Sequence, residues 1–240
     1  MAAIHRLGGA RAWVTAGLIF LVTPAVVAAG VVLLGDRRYY LVSMAVLVCA
    51  LGPFALVFEN RRPQARELVI LAVLTAIGVA GREAFFMLPH FKPVAAIVII
   101  TGVALGPEAG FLVGAATAFV SNFLFGQGPW TPWQMFGFGL VGFAAGLAFR
   151  PGRLPRRRLA LVPFGAVAVF AVYGPIVDTC ALVMFYPEPT AALAVAVYAA
   201  GVPVNLIHAA ATVLFLLVLA RPMIAKIQRV QLKYGLMDPG

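Results

Sequence analysis

Charged residues are scarce in this sequence, and their scarcity excludes an ordinary soluble domain. Only 11% of the 240 residues are charged, whereas 63% are hydrophobic. A soluble domain carries about 25% charged residues. The mean hydropathy of +1.01 points the same way. The composition therefore predicts an all-α integral membrane protein that crosses the bilayer several times.

Residues that carry catalytic or metal chemistry are also few. The three histidines, His5, His90 and His208, have no metal-ligand spacing, and the two cysteines lie inside apolar runs. Ser121 lacks the glycine-flanked elbow of a hydrolase, and no GxxxxGK[ST] phosphate loop occurs. We therefore expect neither an enzyme nor an intrinsic metal or cofactor. Any ATP and Mg²⁺ would be used by partner chains.

Eight apolar runs predict eight membrane spans, because a span needs about 20 residues. The first run is too long, and too soon followed by the second, to be a simple cleaved signal peptide. The fourth is the shortest, and Arg82 and Glu83 lie near the outer end of the third. The runs are 13–34, 39–58, 67–88, 94–105, 108–125, 133–149, 159–186 and 191–220.

The distribution of charge predicts the orientation of these spans. With the N-terminus inside and an even number of spans, both termini are cytoplasmic and 14 of the 18 Lys and Arg residues lie inside. This agrees with the positive-inside rule. Orientation and attraction to the anionic lipid bilayer account for the charge of +10, so no nucleic-acid partner is expected. Residues 222–240 are interpreted as a basic amphipathic cytoplasmic tail.

The uncharged segment 121–134 joins two apolar runs through glycine, proline, tryptophan and carboxamide residues. Aromatic faces and amide dipoles suit a large, mostly uncharged organic ligand. An aromatic belt at the lipid interface would explain the tryptophans but not the amides. We expect this loop to contact a ligand through Trp130, Trp133, Asn122, Gln127 and Gln134.

A second unusual junction, 82–93, is rich in phenylalanine and carries two cations, one carboxylate and two prolines that stop the helix. Under the predicted topology it faces the same side as the tryptophan loop. The two junctions are therefore expected to wall one external cavity, although interfacial snorkelling alone would explain Lys92. The expected ligand contacts here are Arg82, Glu83, Phe86, Phe91 and Lys92.

Two further patterns lie inside the spans. Asp178 and Asn205 are polar groups that should face the bundle interior, either as ligand contacts or as a structural hydrogen bond. Ala72, Ala76 and Ala80 recur every fourth residue and form a small-residue face for close helix approach, to a partner or within the bundle. Glycines repeat at the same interval from 102 to 114 and again at 142 and 146, where we expect internal packing.

From about residue 67 onward the chain resembles a substrate-binding S component of an energy-coupling factor (ECF) vitamin transporter. The resemblance rests on the alanine ladder, on Phe91-Lys92-Pro93 and on the more specific run FGQGPWTPWQ at 125–134. It implies a six-helix membrane domain, 63–221. The chain departs from this six-helix plan by two additional N-terminal spans within 1–62. Ala72, Ala76 and Ala80 would then dock on a scaffold membrane subunit driven by two ATPase subunits, in the bacterial plasma membrane.

The resemblance also implies a substrate, held under the outer loops and released when the S component topples in the membrane. The tryptophan-rich loop is similar to that of S components assigned to cobalamin, so cobalamin is the expected vitamin. Arg82, Glu83 and Asp178 would recognise its polar substituents. The competing hypothesis is a stand-alone, ion-coupled secondary transporter of a small organic solute, in which Asp178 and His208 would form the relay. An intramembrane enzyme would need a nucleophile or metal motif that this sequence lacks.

Overall fold

Helices make up the regular structure of the described part of the chain. The computed structural model describes residues 14–30, 33, 41–42, 44–46, 48–49, 65–186 and 190–234. Short helical stretches lie between 41 and 49, and π-helical turns occur at Leu18–Val22 in α1 and at Val169–Tyr173 in α6. The main helices are α1 Val14–Ala29, α2 Ala65–Ala84, α3 Val94–Leu105, α4 Pro107–Phe125, α5 Thr131–Ala148, α6 Arg158–Phe185 and α7 Ala191–Tyr234.

Three of these helices are long and apolar enough to cross a membrane, namely α4, α6 and α7. The helices α1 and α3 are apolar but shorter. The all-α membrane class predicted from composition is thus confirmed for the described residues. The count of eight spans and the side on which each terminus lies stay predictions. Most of the predicted second span, 39–58, falls outside the described residues.

Two predicted helix ends are wrong. The helix predicted to run to residue 88 ends at Ala84, and the chain turns through 85–93, where His90 takes a positive φ of 58°. The last helix does not stop at residue 220 but continues to Tyr234. Its total length is 44 residues, which is about 66 Å at 1.5 Å per residue. Its final turns pack on the bundle, because Ile224 and Ile227 are buried and Arg66 lies 5.2 Å from the Tyr234 ring.

Glycines let α3, α4 and α5 approach until their backbones touch. A Cβ added to Gly110 would lie 2.5 Å from the carbonyl oxygen of Gly142 and 2.8 Å from the Cα of Gly102. One at Gly114 would lie 2.5 Å from the carbonyl oxygen of Phe138. In lipid, such close packing is a main source of helix association. The expectation that these glycines pack internally is confirmed.

The helix α1 packs beside α5, where the Phe20 and Phe143 rings lie 5.8 Å apart, edge to face. The helix α2 buries one face, which includes Leu71, Leu74 and Gly78, against the bundle. Its opposite face leaves three alanines exposed: Ala72, Ala76 and Ala80. Among the described residues, the alanine ladder is therefore not an internal helix contact.

We predict that Gly110→Ala destabilises the protein by at least about 2 kcal/mol, since the new methyl group meets backbone that cannot rotate away. The matched control is Gly17→Ala in α1, where an added Cβ has no neighbour within 4 Å. That change should not lower stability, because alanine is the better helix former. Thermal unfolding in detergent would measure both variants. Equal melting temperatures for the two would contradict the packing argument.

Candidate functional site

The candidate site begins with Arg82 in the last turn of α2. One turn earlier, a Cβ added to Gly78 would lie 2.8 Å from the side chain of Thr117, which shows how closely α2 and α4 approach. One turn later along both helices, Arg82 Nη1 donates hydrogen bonds to Ser121 Oγ at 2.6 Å and Asn122 Oδ1 at 2.7 Å. The close contact at Gly78 thus sets the position of the guanidinium group.

Asn122 carries this network into the tryptophan loop. Its Nδ2 donates to Thr131 Oγ1 at 2.9 Å and to Gln134 Oε1 at 3.0 Å, and its side chain is fully buried. Thr131 Oγ1 donates in turn to Gln127 Oε1 at 3.0 Å. Gln127 Nε2 donates to the Phe119 carbonyl at 2.9 Å. Buried polar groups need such partners, so the network holds the loop against the ends of α2 and α4.

A second cation, Lys92, joins Arg82 beside one aromatic ring. The Lys92 ammonium donates to the carbonyls of Phe85 and Phe86, and only 8% of the residue is exposed. The Phe125 ring centroid lies 4.4 Å from the Arg82 guanidinium carbon and 5.4 Å from Lys92 Nζ. Burial, and then the charge of Arg82, lower the pKa of Lys92. The arrangement concentrates positive charge at this end of the bundle.

Aromatic side chains continue the site toward α5, α6 and α7. The Phe138 and Tyr173 rings stack at 4.2 Å, and His208 meets Tyr173 edge to face at 5.1 Å. His90, from the turn after α2, lies 6.2 Å from His208. Burial, and then the charge of Lys92, lower the pKa of His90, which favours the neutral imidazole.

Asp178 and Asn205 form a separate pair between α6 and α7. Asn205 Nδ2 donates to Asp178 Oδ2 at 2.8 Å. Two glycines leave room for the pair, since a Cβ at Gly174 would meet Asn205 and one at Gly201 would meet Asp178. Of the two roles expected for these residues, the structure shows the interhelical hydrogen bond.

The structure brings together half of the residues that the sequence predicts for the site. The Phe86 ring lies 5.3 Å from Phe125, beside the two cations. The network or its immediate surroundings thus hold Arg82, Phe86, Lys92, Asn122, Gln127 and Gln134.

Among the described residues, the side chains of the other predicted residues form no hydrogen bond with this network. Glu83 is exposed, and Phe91 packs on Phe215 with ring centroids 5.7 Å apart. Trp133 is half-buried, with an Nε1 that has no hydrogen-bond partner. Trp130 is 38% exposed, and its ring packs so close to Gly128 that a Cβ at Gly128 would lie 2.4 Å from it. Within the described residues Trp130 makes no hydrogen bond or ring contact with Phe91 or Asp178, so amides rather than tryptophans link the two junctions.

Sequence reasoning missed several residues of the site. Ser121 was considered only as a nucleophile, yet its hydroxyl accepts a hydrogen bond from Arg82. Its position beside Asn122, a polar pair in an apolar run, was the available signal. Thr131 and Phe125 lie within the motif that carried the resemblance. Phe138 and Tyr173 gave no signal, because single aromatic residues in apolar helices are ordinary.

Chemically, this end of the bundle is a donor-rich site. Arginine has five N–H donors. In the described residues the Arg82 side chain uses only Nη1, so Nε and Nη2 have no acceptor. Gln134 likewise uses its oxygen, while its amide nitrogen has no partner there. The arrangement suits a ligand that combines acceptor oxygens with a flat aromatic surface.

Together, the helices and this site define a multi-pass membrane protein with a polar, aromatic-lined site at one end of the bundle. A model of the family described as ECF-type riboflavin transporter, S component, matches residues 63–226. The chain belongs to that family, which confirms the resemblance seen in the sequence. The family is one of transporter components and not of enzymes.

Several bacterial proteins are similar to part of the chain. A UPF0397 protein of Vibrio atlanticus (strain LGP32) is 32% identical over 120 residues, which is 47% of this chain and 65% of that protein. UPF0397 proteins of Aliivibrio fischeri (strain MJ11) and Aliivibrio salmonicida (strain LFI1238) are each 34% identical over 88 residues, or 35% of this chain and 48% of theirs. The chain thus spans about half to two thirds of these relatives. No solved structure matches it.

We predict that Asn122→Ala lowers the free energy of unfolding by about 3 kcal/mol. The change removes three buried hydrogen bonds, one of them to a cation, and each contributes about 1 kcal/mol or more. Ser121→Ala is the matched control, because it removes one acceptor of Arg82 and should cost about 1 kcal/mol. Chemical unfolding in detergent without ligand compares them. A smaller loss for Asn122→Ala than for Ser121→Ala would refute the network.

Proposed function

We propose that this protein is the substrate-binding S component of an ECF importer that captures a vitamin or vitamin-like micronutrient on the extracellular side. A scaffold subunit and two ATPase subunits would then drive its release inward. The proposal includes the eight-span topology with both termini in the cytoplasm of a bacterial plasma membrane. It is supported by the family match over 63–226 and by the positive-inside pattern of the sequence.

The observation that carries the proposal is the hydrogen-bonded link from Arg82 through Asn122 to Gln134. These residues come from α2, α4 and α5, and the link ties the first outer junction to the tryptophan loop. A preorganised site of this kind lowers the entropy cost of ligand binding. The guanidinium group of Arg82 lies over the Phe125 ring, where Lys92 adds a second positive charge.

This chemistry favours a planar conjugated ligand with acceptor oxygens or an anionic group. Cobalamin is the candidate from the sequence, since its amide fringe would pair with side-chain amides. However, Asn122 and Gln127 use their amides on protein partners, which leaves the cations and Gln134 for the ligand. Riboflavin is the candidate from the family description. Both vitamins therefore belong in the first binding panel.

The alanine face of α2 is the proposed docking surface for the scaffold subunit. Its three alanines are exposed, and α1 packs against α5. Small side chains allow a second helix to approach closely in lipid, where an exposed alanine face has no other evident use. In this proposal α1, which packs on α5, does not cover the docking face.

For the ligand site, we predict that Trp130→Ala weakens binding of the true vitamin by more than tenfold, because it removes an exposed aromatic face beside the network. Phe123→Ala is the control, since Phe123 is 61% exposed and makes its ring contact with Phe119, one turn away on α4. Isothermal titration with riboflavin, cobalamin and metabolites that copurify with the protein would measure the affinities. An unchanged affinity for Trp130→Ala would remove that residue from the site.

For docking, we predict that Ala76→Leu retains ligand binding in detergent but abolishes uptake in proteoliposomes that contain the scaffold and ATPase subunits. The leucine side chain would block close helix approach. Ala210→Leu, at an exposed alanine of α7, is the matched control and should transport normally. Wild-type uptake should require ATP, the scaffold subunit and the two ATPase subunits. Uptake by this chain alone, driven by an ion gradient, would instead establish the secondary-transporter alternative, with Asp178 as its charged intramembrane group.

A further inference from the structure

A basic cavity lies at the opposite end of the bundle from Arg82. It has a volume of about 520 Å³ and forms where the segment before α6 meets the last part of α7. Four arginines line it: Arg156, Arg157, Arg158 and Arg221. The positive-inside pattern predicts that this end is cytoplasmic.

Four arginine side chains make the lining of this cavity positively charged. Among the residues that the structure describes, none of the four arginines forms an ion pair with a carboxylate. Arg156 Nε donates to the Phe149 carbonyl at 3.4 Å, and burial lowers the pKa of this guanidinium with no acid to offset it. Four unpaired cations around one cavity attract an anion, and guanidinium groups match phosphate oxygens in geometry.

The floor of the cavity is apolar, which distinguishes it from a simple anion site. Leu161, Ala220 and Ile224 line it, and each is at most 8% exposed. The volume of about 520 Å³ is many times the about 30 Å³ that a water molecule occupies in the liquid, so the cavity has room for more than a small ion. Leu159, at the start of α6, is 90% exposed and marks where the apolar, membrane-spanning part of that helix begins. In the predicted topology this places the cavity at the level of the lipid headgroups.

We propose that this basic cavity binds an anionic phospholipid, with the phosphate headgroup among the four arginines and the first part of an acyl chain on the apolar floor. The occupant must be negative, amphiphilic and present at the membrane interface, and an anionic phospholipid meets all three requirements. The bound lipid would join the start of α6 to the end of α7. This inference is independent of which vitamin the protein carries.

The test uses the full chain in detergent, with lipid binding measured by native mass spectrometry. Phosphatidylglycerol should bind the wild type far better than phosphatidylcholine does. Combining Arg157→Gln, Arg158→Gln and Arg221→Gln should weaken phosphatidylglycerol binding about a hundredfold, at about fivefold per arginine. All three residues are exposed, so the variant should fold. The matched control combines Lys226→Gln, Arg229→Gln and Lys233→Gln, which removes equal charge from α7 outside the cavity and should retain binding.

Other outcomes would overturn the assignment. Equal losses in the two triple variants would mean that overall charge, and not the cavity, attracts the lipid. Displacement of phosphatidylglycerol by an equal concentration of inorganic phosphate would make the cavity a site for the free ion. Unchanged lipid binding, together with lost association of the arginine variant with the scaffold and ATPase subunits, would identify an acidic protein segment as the occupant.

Discussion

The candidate site depends on the need of the Arg82 guanidinium group for hydrogen-bond acceptors. A guanidinium at the end of a membrane helix must find acceptors, because an unsolvated charge in apolar surroundings is costly. Ser121 and Asn122 supply these acceptors from α4. Asn122 in turn donates hydrogen bonds to Thr131 and Gln134. One cation thus aligns three helices and the loop between two of them. The same group retains donors for a ligand, so the interaction that organises this end of the bundle also gives it a binding preference.

Close backbone contact beneath this network makes its geometry possible. Glycines bring α3, α4 and α5 together, and Gly78 brings α2 onto α4 one turn below Arg82. The polar end therefore rests on a rigid, densely packed base, while α6 and α7 supply the aromatic wall through Tyr173 and His208. At the other end, α7 runs past the expected membrane boundary and buries Ile224 and Ile227. The two ends then differ in chemistry, with an aromatic, donor-rich site at one and an arginine-lined cavity at the other.

Much of this organisation was predictable from the chain. Apolar runs gave the positions of α3 to α6 within about two residues, because hydrophobicity and helix-stopping residues act locally. The ends of α2 and α7 were not predictable in this way. The turn after Ala84 is held by hydrogen bonds from the buried Lys92 ammonium to the carbonyls of Phe85 and Phe86. The extension of α7 beyond residue 220 is supported by the burial of Ile224 and Ile227 against the bundle. The predicted amides of the site lie in one hydrogen-bonded network. Trp130 and Phe91 form no ring contact among the described residues, since spacing along a chain does not give ring orientation.

The sequence by itself determined the class of protein, the family and the candidate polar residues, because composition, periodicity and short motifs are properties of the chain alone. Only the tertiary structure decided which of those residues are partners. It assigned Asn122 to Arg82 and Asn205 to Asp178, and it placed the alanine ladder of α2 on an exposed face. It also gathered arginines from two distant segments around one cavity. The physical reason is that hydrogen bonds and packing act over a few ångströms between residues far apart in sequence, and the helix arrangement alone brings them within that range.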